Sequence, residues 1–152
     1  MAKIERFEDM KIWQMGRRLV SLVYELTRKN EFATDFGLKD QIRRSVISIP
    51  SNVAEGFERS GNKELIYFLY IAKGSAGELR TQLMLALDLA YITENEWKKL
   101  NDIIEEIGRM IQGFIGYLRN SGYKGEKFKS PIVKEPEPEY DLDWKSDPNF
   151  QF

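Results

Sequence analysis

Apolar side chains recur at steps of three and four along residues 6 to 119, and the phase restarts three times. That spacing predicts four helices, each with one buried face. The first pattern runs from about Arg6 to Lys29 and carries Ile12, Met15, Leu19, Leu22 and Leu26; Trp13, Val20, Val23 and Tyr24 widen its face. The second runs from about Leu38 to Glu58 through Ile42, Val46, Ile49, Val53 and Phe57, with Gly37 before it and Gly61 after it. The third runs from about Lys63 to Ala90, with Asn62 as the expected N-cap. Leu65, Phe68, Leu69, Ala72, Ala76, Leu79, Leu83, Ala86 and Leu87 line one broad face. In the fourth, Thr93 and Glu96 form a capping box. Trp97, Leu100, Ile104, Ile107, Ile111, Phe114 and Leu118 follow, and Asn120-Ser121-Gly122 ends the helix. Short links make neighbouring helices antiparallel. The expected fold is all-α: an antiparallel up-down-up-down four-helix bundle over residues 1–122, then an extended acidic tail over residues 123–152.

One stretch breaks the pattern. Residues 48 to 56 read S-I-P-S-N-V-A-E-G inside the second helix. A proline there removes one backbone hydrogen bond and pushes on the carbonyl of Val46, at a cost of roughly 3 kcal/mol. The apolar stripe stays in phase from Val46 to Phe57, so a kinked second helix is expected rather than two short helices. Ser48, Pro50, Ser51, Asn52 and Gly56 offer little bulk, and the third helix has a matching patch in Gly74, Ser75, Ala76 and Gly77. Two such patches predict a tight helix crossing. Glu55 and Glu78 are placed near it, with Gln41, Arg43, Arg44 or Arg80 as candidate partners. Packing and buried hydrogen bonding is the leading reading of this motif; a carboxylate pair, a metal site, or a binding role for the serines and asparagine are the competing ones.

Composition narrows the chemistry. The chain has 152 residues, enough for one real core, and no cysteine or histidine. Disulfides, thiolate metal sites and histidine-based nucleophilic catalysis are therefore excluded. The first ten residues are charged and lack an apolar signal core. No apolar run approaches the ~20 residues that span a bilayer. A cytoplasmic protein with no membrane contact is expected. Charge is unevenly spread: residues 135–152 hold six acids and one lysine, whereas residues 1–134 hold 22 bases and 18 acids. A net +4 body can meet a polyanion.

Three segments together carry a family resemblance: F-E-D-M-K-I-W at 7–13, G-L-K-D-Q-I-R-R-S-V-I-S-I-P-S-N-V-A-E-G-F-E-R at 37–59, and F-L-Y-I-A-K-G-S-A-G-E-L at 68–79. Over roughly residues 7 to 119 the chain resembles the four-helix bundle proteins encoded within intervening sequences of bacterial 23S ribosomal RNA genes. The resemblance implies a small bundle that assembles as a homopentamer. A similar bundle, the accessory variability protein of diversity-generating retroelements, is a basic pentamer that partners a reverse transcriptase and nucleic acid. Self-assembly and RNA contact are what this implies here; the acidic extension after Gly122 lies outside the shared pattern.

Lys11, Arg17, Arg18, Lys39, Arg43, Arg44, Arg59 and Lys63 are the candidate phosphate contacts. The competing reading pairs them with Glu8, Asp9, Asp40, Glu55 and Glu58. A second function class is an oligomeric protein-interaction scaffold without nucleic-acid contact. Its expected interface is an extra apolar seam on the first and fourth helices: Trp13, Val20 and Tyr24, with Ile103, Met110 and Tyr117. An enzyme is not expected. G-S-A-G lacks the lysine of a phosphate-binding loop, and Asp102, Glu105 and Glu106 read as a solvated face. No catalytic residue, metal ligand or cofactor is assigned. The tail acids Glu135, Glu137, Glu139, Asp141, Asp143 and Asp147 can lie over the basic stripe, anchored on a neighbouring subunit by Trp144 and the terminal phenylalanines.

Overall fold

Four helices form as the periodicity requires: α1 (Lys11–Leu26), α2 (Phe36–Glu58), α3 (Asn62–Asp88) and α4 (Glu94–Asn120). The structure is a computed structural model and describes residues 4–121 and 134–136. Gly122 and the tail aromatics Tyr140, Trp144, Phe150 and Phe152 lie outside the described residues, as do the tail acids beyond Glu135. Each helix packs on the next, and α4 returns to α1. Contacts between helices give their directions. Gly16 meets Pro50 while Arg43 meets Tyr24, so α2 runs against α1. Ser48 meets Ser75 while Gly56 meets Leu65, and Lys73 meets Gln112 while Arg80 meets Glu105. This is the expected antiparallel four-helix bundle.

The core follows the apolar stripes. Leu19, Leu22, Ile42, Ile49, Leu69, Leu79, Leu83 and Phe114 are fully buried. Each such side chain is worth about 1.5–3 kcal/mol relative to exposure. The α1–α2 link adds one core residue that periodicity misses. Its 3-10 segment, Asn30–Thr34, buries Phe32 against Tyr91, with ring centroids 5.3 Å apart.

Helix ends show where local chemistry competes with pattern. α1 starts later than its apolar stripe, because Phe7–Asp9 forms a separate 3-10 turn. Asp35 caps α2 by accepting the Leu38 N–H at 3.1 Å. The α4 capping box of Thr93 and Glu96 forms in both directions. Asn62 is not the N-cap of α3 but its first residue. Its side-chain amide instead donates to the Leu118 carbonyl at 2.9 Å and to Ser121 Oγ at 3.1 Å. The residue expected to cap α3 thus ties the start of α3 to the end of α4. Among the described residues, no helix is long and apolar enough to cross a membrane.

Candidate nucleic-acid interface

The S-I-P-S-N-V-A-E-G stretch lies within an unbroken α2, so the helix passes through Pro50 without dividing. Asn52 Nδ2 donates to the Ser48 carbonyl at 2.7 Å and to Ser48 Oγ at 2.8 Å. Ser48 Oγ is in turn 2.8 Å from Ser75 Oγ on α3. These polar atoms satisfy one another inside the α2–α3 seam. Gly56 allows the closest approach: a Cβ there would stand 2.7 Å from Phe68 Cβ.

The expected pairing of two small-residue patches needs correction. Ser75 and Ala76 are buried, but Gly74 and Gly77 are exposed, with open space where a Cβ would lie. The seam sets small residues of α2 against Leu65 and Phe68 instead. Glu55 and Glu78 are also both exposed. Glu55 pairs with Arg59 at 2.9 Å, along its own helix, and Arg80 pairs with Glu105 of α4 at 2.9 Å. No carboxylate pair is built at the crossing. Among the described residues, no group of three or more acidic side chains could hold a metal ion.

The expected apolar seam on α1 and α4 is also corrected. Ile103 and Met110 are buried within a single chain. Tyr117, Trp13, Val20 and Tyr24 are half-buried against the same core. Because α4 packs against both α1 and α3, it needs a wide apolar arc for the fold alone. Large exposed apolar side chains lie elsewhere: Tyr67, Tyr70, Met84, Leu85 and Leu89 on α3, and Phe36 and Ile47 on α2. On α4, Glu106 is buried rather than solvated, and it accepts from Arg109 at 2.7 Å. A groove of about 560 Å³ lies between α3 and α4 where Gly77 and Gly108 line both walls. Its arginines, Arg80 and Arg109, already pair with Glu105 and Glu106.

The basic candidates divide by their partners. Arg59 is ion-paired with Glu55 and lies over the Phe68 ring. Lys39 donates to the Ala33 carbonyl and lies over Phe36. Arg43 Nε donates to Thr27 Oγ1 at 3.0 Å, and its guanidinium lies 4.2 Å from the Tyr24 ring centroid. Arg17 lies over Trp13 at 5.7 Å. Among the described residues, no carboxylate pairs with Arg17, Arg18, Arg43 or Arg44, so of the expected ion pairs only that of Arg59 with Glu55 forms within the candidate set. Spacing puts Trp13, Arg17, Val20 and Tyr24 on one edge of α1, and Lys39, Arg43 and Ile47 on the facing edge of α2. Arg18, Arg44 and Lys63 are exposed. Lys63 sits on the first turn of α3, with Arg59 just before it at the α2 end. The structure therefore gathers Arg17, Arg43 and Lys39 on the α1–α2 face and leaves Arg59 and Lys63 apart.

Lys11 opens α1, and here the tail returns. The Glu135 carboxylate accepts the Lys11 N–H at 2.6 Å and the Ile12 N–H at 3.0 Å. Met10, the residue before α1, provides no side-chain cap and is fully buried. Charge opposition in the sequence points to a tail acid near the basic face but not to this helix cap; an uncapped helix start is the signal that could have found it.

Residues 8–113 match the family described as 23S rRNA-intervening sequence protein. No curated protein matches the chain. Among solved structures, it is similar to a protein of unknown function from the S23 ribosomal protein family of Bacteroides thetaiotaomicron. The two share 28% identity at a TM-score of 0.60, over 69% of this chain and 94% of that one. The resemblance carried by the α2 and α3 motifs holds, and the chain belongs to the 23S rRNA-intervening sequence protein family.

Proposed function

We propose that this chain is a non-enzymatic, self-assembling four-helix bundle that contacts structured RNA through its α1–α2 face. The observation that carries the reading is the pair Arg17 and Arg43. Each guanidinium is held over an aromatic ring, and neither is neutralised by a carboxylate among the described residues. Fixed positive charge on an aromatic surface suits a phosphate backbone with stackable bases. Lys39, Arg18 and Arg44 extend the positive surface around it. The family resemblance implies a homopentamer, and a ring would repeat a weak face several times.

The test is a salt titration of a labelled structured ribosomal RNA fragment with the full chain. Binding should weaken as salt rises, with each phosphate contact adding roughly 0.9 to the logarithmic slope. Arg17→Ala with Arg43→Ala should weaken binding and flatten that slope. No binding at low salt would sink the reading.

The exposed apolar face of α3 favours a second reading, a cytoplasmic oligomeric scaffold without RNA contact. Self-association that Leu85→Glu abolishes, together with absent RNA binding, would select it.

A further inference from the structure

We propose that Glu135 is a latch: it caps α1 and holds the acidic C-terminal segment at the α1 end of the basic face, so that its release opens that face to RNA. The second half rests on the RNA reading above; the first half does not.

The first amide groups of any helix have no partner within it, and they carry the positive end of the helix dipole. A preceding Ser, Thr, Asp or Asn ordinarily satisfies one of them. α1 has Met10 in that place, apolar and fully buried. The neighbouring Glu8 is engaged elsewhere, with its carboxylate on Arg6 at 3.0 Å. The cap comes instead from 124 residues away, with one Glu135 oxygen on each of two successive N–H groups. The oxyanion is thus already in place, two residues before Trp13 and six before Arg17.

Two consequences follow from charge. Backbone N–H groups at a helix start that hold a carboxylate can also hold a phosphate oxygen. The carboxylate and an RNA phosphate therefore compete for one place. Glu135 also opens the most acidic part of the chain, in which residues 135–152 carry six acids and one lysine. Fixing its first residue beside Lys11 raises the local concentration of negative charge near the face that RNA would need.

The experiment uses the full chain, wild type against Glu135→Ala and Glu135→Gln. Amide exchange at Lys11 and Ile12 is followed by NMR, and the labelled ribosomal RNA fragment is titrated at low salt. The expected result is exchange faster at these two amides by roughly 2- to 30-fold in Glu135→Ala, the range that cap losses span. RNA affinity should rise roughly threefold or more in both variants, since both remove the charge. Unchanged exchange in Glu135→Ala overturns the latch, whatever RNA does. Faster exchange with unchanged RNA affinity overturns the gating. Faster exchange with no RNA binding by any form overturns the RNA reading and the gating with it, and leaves Glu135 a helix cap alone.

Discussion

Gly16 of α1 faces Pro50 of α2 so closely that a Cβ at Gly16 would stand 3.3 Å from the proline ring. The missing side chain on one helix accommodates the ring on the other. Pro50 is thus a packing element of the α1–α2 seam, not only a defect in α2. The ring is rigid and cannot yield to a larger neighbour. Gly16→Leu should lower stability by about 1–3 kcal/mol through overpacking. Urea unfolding monitored by circular dichroism measures this, and a wild-type midpoint would show that the seam is looser than this spacing implies.

Two other glycines should respond in opposite directions to one substitution. A methyl group at Gly56 would stand 2.7 Å from Phe68 Cβ and 3.3 Å from the Leu65 backbone. Neither contact is a flexible side-chain tip. At Gly74 the same methyl group meets nothing within 4 Å. Replacing a helix-interior glycine by alanine gains about 1 kcal/mol from the backbone alone. Gly74→Ala should therefore stabilise by up to about 1 kcal/mol. Gly56→Ala should destabilise by about 1–2 kcal/mol after that gain is subtracted. Equal shifts in the two unfolding midpoints would contradict the packing of the α2–α3 seam.

The end of α3 stores a small backbone strain. Ala90 has a φ of 61°, in the left-handed region that alanine disfavours. The Tyr91 N–H reaches back to the Ala86 carbonyl at 2.9 Å, and the Ala90 N–H to the Leu87 carbonyl at 2.9 Å. That double bond pattern is a Schellman stop, which glycine fills most easily. Ala90→Gly should raise stability by about 0.5–1 kcal/mol, read as a higher thermal midpoint. A lower midpoint would mean that the alanine methyl group contributes packing that outweighs its strain.

Periodicity alone makes the four helices, their order and most of the core legible, because each stripe is long and in phase. It fails where a residue acts across the fold. Asn62 has the composition of a cap, but nothing local reveals that its amide reaches Leu118. Phe32 sits in a link with no repeat, yet it is fully buried. Ile103 and Met110 look like spare apolar surface until α4 is placed against two neighbours at once. Gly74 and Gly77 look like partners for Ser48 and Gly56, but helical phase turns them to solvent. For the candidate site, residue types are legible and partners are not. Arg43, Arg44 and Arg59 read alike in sequence; only the structure separates the arginine over Tyr24 from the one paired with Glu55.

The Tyr91 hydroxyl donates to Asp35 Oδ2 at 2.9 Å, linking the α3–α4 turn to the α2 cap. Its hydrogen bond to the Asp35 carboxylate, more than burial or charge, holds its pKa above the ordinary tyrosine value. The folded chain therefore keeps the phenol proton more tightly than the unfolded chain does. This contribution is fully present below the unfolded pKa, near pH 10, and is lost as pH rises through the higher folded value. Stability should fall more steeply above about pH 10 in the wild type than in Tyr91→Phe, which has no proton to lose. Thermal midpoints from about pH 9 to about pH 11.5 test this; parallel curves would mean that the bond does not form in solution.

Arg43 and Arg44 are adjacent but do different structural work, which separates folding from binding. Arg43 donates to Thr27 and covers Tyr24, so Arg43→Ala removes a hydrogen bond and a cation–ring contact. Each is worth about 0.5–1.5 kcal/mol, so the variant should lose about 1–2 kcal/mol of stability. Arg44 is exposed and has no ion-pair partner among the described residues, so Arg44→Ala should stay within about 0.5 kcal/mol of the wild type. If both side chains meet phosphate, each variant should lower the salt slope of RNA binding by about 0.9, irrespective of its folding cost. Arg59→Ala supplies the comparison, because its charge is already matched by Glu55. A smaller slope in Arg44→Ala, at unchanged stability, can come only from a lost contact with the polyanion. A slope that changes in Arg43→Ala alone, in step with its stability, would instead mark the α1–α2 face as structural.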